Sequence, residues 1–195
     1  MRIEFLGQDS PGRAEVQDHI RAVYRDAYCA DVQDYAPLLV AAKRADGAIM
    51  CAAGIRTSRD RFFSTCYLDG DFETVLRDMT GVVVPKAEIM EVVSLASTTP
   101  FPVLAMLDGM IRWGRENGMT CGVFTATSAL RRLLDRSGMA YAALAPAQAN
   151  RVNQPEAWGS YYDTHPWVCA FRDNVSGPIT LSPRLRACDL RSEAV

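Results

Sequence analysis

The chain has 195 residues, 49% of them hydrophobic and 23% charged, with a formal net charge of −2. That composition suits one globular domain with its own core and lacks the basic footprint of a general nucleic-acid binder. No apolar run reaches the ~18 residues a membrane helix requires, so neither DNA nor a membrane is expected as a partner.

The six cysteines form no C-x-x-C pair and match no zinc-module spacing. The opening MRIEFLGQDS carries no apolar leader. We therefore expect a reduced, cytoplasmic protein with mostly buried thiols. Only two histidines occur, His19 and His165, which leaves little for Ser-His-Asp chemistry, and no metal site is expected. His19 falls in a helical pattern and is read as a surface residue. His165 stands before Pro166 in a turn-like stretch.

In chain order, RIEFLG (2–7) suggests a short strand. Ser10-Pro11 then reads as an N-cap with Pro at the first helical position, opening a helix to about Tyr28 with Val16, Ile20, Val23, Tyr24 and Ala27 at helical spacing. PLLVAAKRADGAIMCAAGIRT reads as two strands around a turn at Ala45-Asp46-Gly47. FFSTCYL (62–68) is expected to be extended, and DFETVLRDMTG (71–81) to be a short helix ending at Gly81. Residues 88–97 read as a strand. Residues 101–117 read as a helix with Val103, Leu104, Leu107, Met110 and Ile111 on one face and Gly118 as its stop. TCGVFTAT is a β run, and SALRRLLDRSG is a helix capped by Thr127 or Ser128 and closed by Gly138. MAYAALA and HPWVCAFR read as strands, joined by a polar and aromatic loop, RVNQPEAWGSYYD. The later strand–helix–strand–helix–strand part implies neighbouring parallel strands with right-handed crossovers. Residues 1–172 are taken as a single domain, and 173–195 as an extended or loosely packed tail.

One feature of this pattern is chemically costly. The strand AEIMEVVSLAS holds Glu91 among Met90, Val92 and Val93, where a buried carboxylate must find compensation. Small residues and Pro100 follow it.

These stretches carry a resemblance. AAGIRTSRDRFFSTCYLD (52–69), AEIMEVVSLAS (87–97), GVFTATSALRRLLDRSGM (122–139) and AWGSYYDTHPWV (157–168) resemble the thermostable hemolysin family. The whole order resembles the fold of the Gcn5-related N-acetyltransferases (GNAT). More distantly, Arg56, Glu91 and TATSALRRLLDRSG resemble the acyl-homoserine-lactone synthases. The resemblance implies an α/β (α+β) GNAT-like protein with a mixed, mostly antiparallel central sheet flanked by helices and a splayed parallel strand pair at the site. It also implies an acyltransferase. The usual glycine-rich diphosphate turn of that fold is replaced here by STTPFPVL, without glycine. From the lactone synthases the chain departs in two places: it has Ser94 where they carry an Arg, and no acidic residue soon after Tyr35-Ala36-Pro37.

Acyl transfer from a thioester to an amine needs a deprotonated amine, a polarised carbonyl and in-line placement. Glu91 can act as general base, anchor a cationic substrate, or pair with Arg56. Tyr161 or Tyr162 can protonate the leaving thiolate, or pack the loop with Trp158. Arg56, Ser94, Thr125, Thr127 and Trp158 are candidates for holding substrate; for Thr125 and Thr127 the simpler role is to cap the next helix. Leu95, Ala96, Ser97 and Arg131 are candidates for the donor arm; Arg131 can instead form a solvated i,i+4 pair with Asp135.

The expected function is transfer of an acyl group from acyl-CoA or acyl carrier protein to the amine of a small molecule in specialised metabolism. The thioester is a co-substrate and no cofactor is permanently bound; the protein is monomer or homodimer. Alternatives are an S-adenosylmethionine-using lactone synthase, an aminoacyl-tRNA-dependent transferase, a non-catalytic binding domain, and a cytolytic protein.

Overall fold

The computed structural model describes residues 1–172; the expected tail and Cys188 lie outside them. Seven strands form one sheet in the order β1-β2-β3-β4-β5-β7-β6. They are β1 (Arg2–Leu6), β2 (Leu38–Lys43), β3 (Ile49–Arg56), β4 (Ile89–Ser97), β5 (Cys121–Ala126), β6 (Ala142–Pro146) and β7 (Trp167–Arg172). Among the described residues only β4 and β5 run parallel; every other neighbouring pair there is antiparallel. This is the mixed, mostly antiparallel GNAT-like sheet that the resemblance implied.

Among the described residues four α-helices cover it: α1 (Arg13–Tyr28), α2 (Phe72–Thr80), α3 (Phe101–Glu116) and α4 (Ser128–Ser137). Alternation along the strands sorts the core into two layers. Leu39 and Ala41 of β2 pack with α1, whereas Val40 and Ala42 pack with α3 and α4. Both faces of the central strands are thus covered, which is why they read as nearly continuous apolar runs. None of the helices among the described residues is long and apolar enough to cross a membrane.

Local chemistry explains most elements. The Asp71 side chain accepts from Thr74 N–H at the start of α2, and Gly81 ends it in the left-handed region. At nine residues α2 is too short to hold itself in water; buried Phe72 and Leu76 tie it to the sheet, each contributing about 1.5–3 kcal/mol. Thr127 caps α4 by accepting from Leu130 N–H, and Gly138 closes it.

Four expectations are corrected. Helix α1 starts at Arg13 behind a left-handed Gly12, not at Ser10-Pro11; Arg13 donates to the carbonyls of Leu6, Ala36 and Pro37, which fixes that first turn. Residues 64–67 form a 3₁₀ turn, not an extended piece. The second crossover does not place neighbouring parallel strands, because β7 inserts between β5 and β6, antiparallel to both. His19 is half-buried, not a surface residue: burial lowers its pKa, a backbone hydrogen bond with Ala96 opposes that, and its Nε2 is buried without a partner among the described residues.

Candidate active site

Parallel pairing of β4 with β5 ends at Val92↔Phe124. Beyond it β4 stays with β3, but through a bulge: Ala52 faces Ala96 and Gly54 faces Val93, so Ser94 and Leu95 share the place opposite Ala53. Ser94 takes φ +52, a conformation that costs a non-glycine residue about 1–2 kcal/mol and that clusters at functional sites. Gly54, opposite Val93, leaves room for close approach on this face: a Cβ there would stand 2.6 Å from the Ala36 Cβ and 3.0 Å from Val93 Cγ2. The result is a split between β4 and β5.

A cavity of about 310 Å³ occupies the split. Its wall comes from both faces of the sheet. On the α3/α4 side it is apolar, with Leu107, Leu130, Leu134, Met139 and Phe171. On the α1 side it is polar and aromatic, with Asp34, Arg56, Ser64, Tyr67, Trp158 and Tyr161. Val92, Ser94, Leu95, Phe124 and Thr125 form the waist between the two halves.

Glu91 is fully buried beside the cavity, not in its wall. One carboxylate oxygen accepts from Phe63 N–H at 2.6 Å and the other from Ser64 N–H at 2.7 Å. Burial raises the pKa of the Glu91 carboxyl, an effect that the Ser64 hydroxyl, the Ser64 and Phe63 N–H groups and the charge of Arg56 offset only in part. A carboxylate at the start of a helical turn is favourably placed, which is why 64–67 coils where its sequence reads as extended. Ser64 Oγ then meets Thr125 Oγ1 of β5 at 2.9 Å. Glu91, Ser64 and Thr125 thereby link β4, the 3₁₀ turn and β5 across the split.

Arg56 is opposite Glu91 in register, but the expected ion pair is corrected: Arg56 Nη2 binds Asp34 Oδ2 at 2.7 Å and Nη1 donates to Arg61 O at 3.3 Å. The acidic partner precedes Tyr35 instead of following it.

The aromatic loop packs on α1. Gly159, at φ +52, lies so close to this helix that a Cβ would sit 2.0 Å from Tyr28 O. Ser160 N–H donates to that same carbonyl at 2.8 Å. Tyr161 stacks on Tyr24 and meets Tyr28 and Trp158 edge-on or tilted. Burial, its largest cause, holds the Tyr161 hydroxyl well above the ordinary phenol range, and no hydrogen-bond partner reaches it among the described residues. Tyr162 lies outside the cavity wall, with its hydroxyl 2.9 Å from that of Tyr67.

The cavity therefore gathers Arg56, Ser94, Leu95, Thr125, Trp158 and Tyr161 of the expected site residues. It does not gather the others. Thr127 spends its hydroxyl on the α4 cap. Ala96 is buried against α1. Ser97 Oγ donates to Met50 O and Thr99 O. Arg131 donates to His165 O and lies over Trp167, so the expected pair with Asp135 is not formed. Sequence reasoning missed Tyr24, Asp34, Ser64 and Tyr67. Tyr24 reads as one more apolar helix position, and the others carry no local signal. Among the described residues no group of three or more His, Cys, Asp or Glu side chains could hold a metal ion.

Solved structures share this architecture. The apo crystal structure of TofI superposes with a TM-score of 0.61 at 15% identity, over 95% of this chain and 99% of that one. The AHL synthase LasI gives 0.59 at 10% identity, over 91% and 92%. FeeM, an N-acyl amino acid synthase from uncultured soil microbes, gives 0.60 at 12% identity, over 93% and 100%. At such identities the likeness is one of fold. No curated protein sequence matches the chain. The family model described as thermostable hemolysin matches residues 6–176, and with nearly the whole described domain inside that match the chain belongs to the thermostable hemolysin family.

Proposed function

We propose that this protein is an acyltransferase that moves an acyl group from a thioester donor, acyl-CoA or acyl carrier protein, to the amine of a small molecule. The observation that carries this reading is the cavity through the β4–β5 split, apolar on one side of the sheet and polar on the other. Such a passage suits an acyl chain and an acceptor meeting at its waist. Neighbours of this fold named as an AHL synthase and an N-acyl amino acid synthase support the reading.

The chemistry assigns each group a task. The edge of β4 beyond Val92, unpaired toward β5, offers backbone donors and acceptors to an extended pantetheine arm. The amine nitrogen bonds to the thioester carbonyl carbon, and the C=O π pair moves onto oxygen to give an oxyanion. The hydroxyls of Ser64 and Thr125 share one hydrogen bond; with Ser64 donating to Thr125, the Thr125 proton is free to meet that oxyanion. The C–S bond then breaks. Tyr161, kept protonated by burial, gives its proton to the thiolate. The proton lost from nitrogen restores the phenol, so the products are an amide and a free thiol. Glu91 has both oxygens engaged and acts as the anchor of this wall; the acceptor enters as the neutral amine.

Release of free thiol from acetyl-CoA, longer acyl-CoAs and acyl carrier proteins, measured with a panel of amines, tests the proposal. Amine-dependent thiol release with formation of the matching amide is expected. Silence with every donor, with ligand binding preserved, would replace it with a non-catalytic binding domain.

A further inference from the structure

The polar half of the cavity contains a guanidinium that is only half used. We propose that the acceptor is an amino acid, and that its carboxylate displaces Asp34 from Arg56. Its role as acceptor rests on the acyltransferase reading; the carboxylate site itself does not.

Arg56 is the one cationic side chain among the described residues lining the cavity. Its side chain is 14% exposed, whereas that of Asp34 is 81% exposed. The guanidinium presents two N–H groups along one edge, Nε and Nη2, and this edge matches both oxygens of a carboxylate. Asp34 takes Nη2 alone, at 2.7 Å. Nε is buried and has no partner among the described residues, an arrangement that native structures rarely tolerate. Nη1 faces away, on Arg61 O. A solvent-exposed carboxylate is a weak partner, held against side-chain entropy and full hydration. Asp34 thus serves as a displaceable placeholder at a fork built for a better ligand.

The surroundings favour an amino acid over a simple acid. Trp158, Tyr24, Tyr161 and Phe63 give the cavity rigid aromatic walls that can receive a side chain at low entropic cost. The nitrogen of an α-amino acid lies next to the carboxylate carbon. A carboxylate on Arg56 therefore holds the nitrogen within the same half of the cavity as Ser64 and Tyr161, the half that Thr125 borders at the waist. A simple amine gains nothing from Arg56, and a site with an unfilled polar fork discriminates strongly against a ligand without the complementary group.

The test is calorimetric binding to the full chain, without donor, of each proteinogenic amino acid and of the amine lacking its carboxylate. At least one amino acid is expected to bind about tenfold or more tighter than its amine. Arg56→Gln should erase that preference, and Arg56→Lys should keep only part of it, because a lysine offers charge without the fork. Asp34→Asn should tighten amino-acid binding severalfold by removing the competitor, an outcome that a purely structural role for the pair would not produce. Equal or tighter binding of the amines, no binding of any amino acid at millimolar concentration, or a preference that survives Arg56→Gln would each overturn the proposal. If Arg56→Gln fails to fold, the Asp34→Asn and Arg56→Lys arms decide it. Because no donor is present, these results stand apart from thiol release: a carboxylate preference without turnover would sink the acyltransferase reading and leave the site.

Discussion

Arg56 and Glu91 face each other across the β3–β4 ladder, yet each takes a different hydrogen-bond partner. Glu91 holds two backbone N–H groups of residues 63 and 64, and Arg56 holds a surface aspartate. Arg56 acts on Glu91 only through its charge. A direct pair would have closed the site's cation on a buried anion, at a desolvation cost that such pairs rarely recover. The arrangement instead satisfies the carboxylate with backbone, whose geometry is fixed, and leaves the guanidinium edge to the cavity.

That division predicts the behaviour of Glu91→Gln. The amide offers one acceptor oxygen and one NH₂, so one of the two N–H groups at Phe63 and Ser64 loses its acceptor. The expected cost is about 1–3 kcal/mol, read from urea denaturation. Ser64 and Tyr67 shift with the turn, and turnover falls. The pH profile of the residual activity should keep the acid limb of the wild type, because that limb belongs to the amine. Loss of the limb in a variant of unchanged stability would make Glu91 the base after all.

Tyr161→Phe separates the phenol from its ring. The rings of Tyr24, Tyr28 and Trp158 still meet a phenyl group at 161, and no hydrogen bond is lost among the described residues. Stability should therefore change little, while kcat falls by about 10²-fold for loss of a general acid. Because burial raises this hydroxyl well above the ordinary phenol value, the wild-type rate should show no alkaline decline in the range where a free tyrosine titrates, about pH 10. Wild-type-like kcat in the variant would remove Tyr161 from the chemistry.

Much of the scaffold was legible because its signals are local. Asp46-Gly47 fixes the β2–β3 turn, Thr127 and Gly138 bracket α4, and Asp71 and Gly81 bracket α2. The failures come from contacts distant in sequence. FFSTCYL has the composition of a strand, and Glu91, on another strand, holds the first N–H groups of the turn that residues 64–67 form instead. The insertion of β7 between β5 and β6 is a pairing choice to which the spacing of elements is blind. The site divides the same way. Trp158 and Tyr161 are conspicuous in WGSYY, and Arg56 follows the hairpin, whereas Ser64 and Asp34 are ordinary polar residues until the fold brings them to Thr125 and Arg56. Thr127 stands where a residue can cap or bind, capping being the simpler role, and its hydroxyl goes to the cap.

Gly159 is expected to tolerate no side chain. Its φ of +52 is one backbone constraint, and the Tyr28 carbonyl oxygen, 2.0 Å from where a Cβ would stand, is another, so no flexible neighbour can yield. Gly159→Ala should lose the Ser160 N–H to Tyr28 O and Asp31 N–H to Ala157 O bonds and cost about 3 kcal/mol or more. Denaturation followed by tryptophan fluorescence would report both the lower midpoint and the release of Trp158 from its ring cluster. An unchanged midpoint would mean that the loop leaves α1 without penalty, and that the aromatic wall is not fixed by this turn.

The apolar half of the cavity predicts a dependence on acyl length. Leu107 of α3 is partly buried and lines this half, away from Ser64, Thr125 and Tyr161. Leu107→Phe adds volume there without touching the polar half. Overpacking should cost about 1–3 kcal/mol of stability. If the acyl chain occupies this space, kcat/KM for long-chain donors should fall by about tenfold or more, since each excluded methylene is worth roughly 1–3 kcal/mol. Acetyl transfer, which needs only the waist, should be nearly unaffected. The ratio of the two rates removes any general loss of folded protein from the comparison. An equal fall for short and long donors would mean that the chain lies elsewhere and that the apolar half is core alone. A selective fall would fix the direction in which the donor threads the sheet, with its carbonyl held at Ser64 and Thr125 and its tail beneath α3.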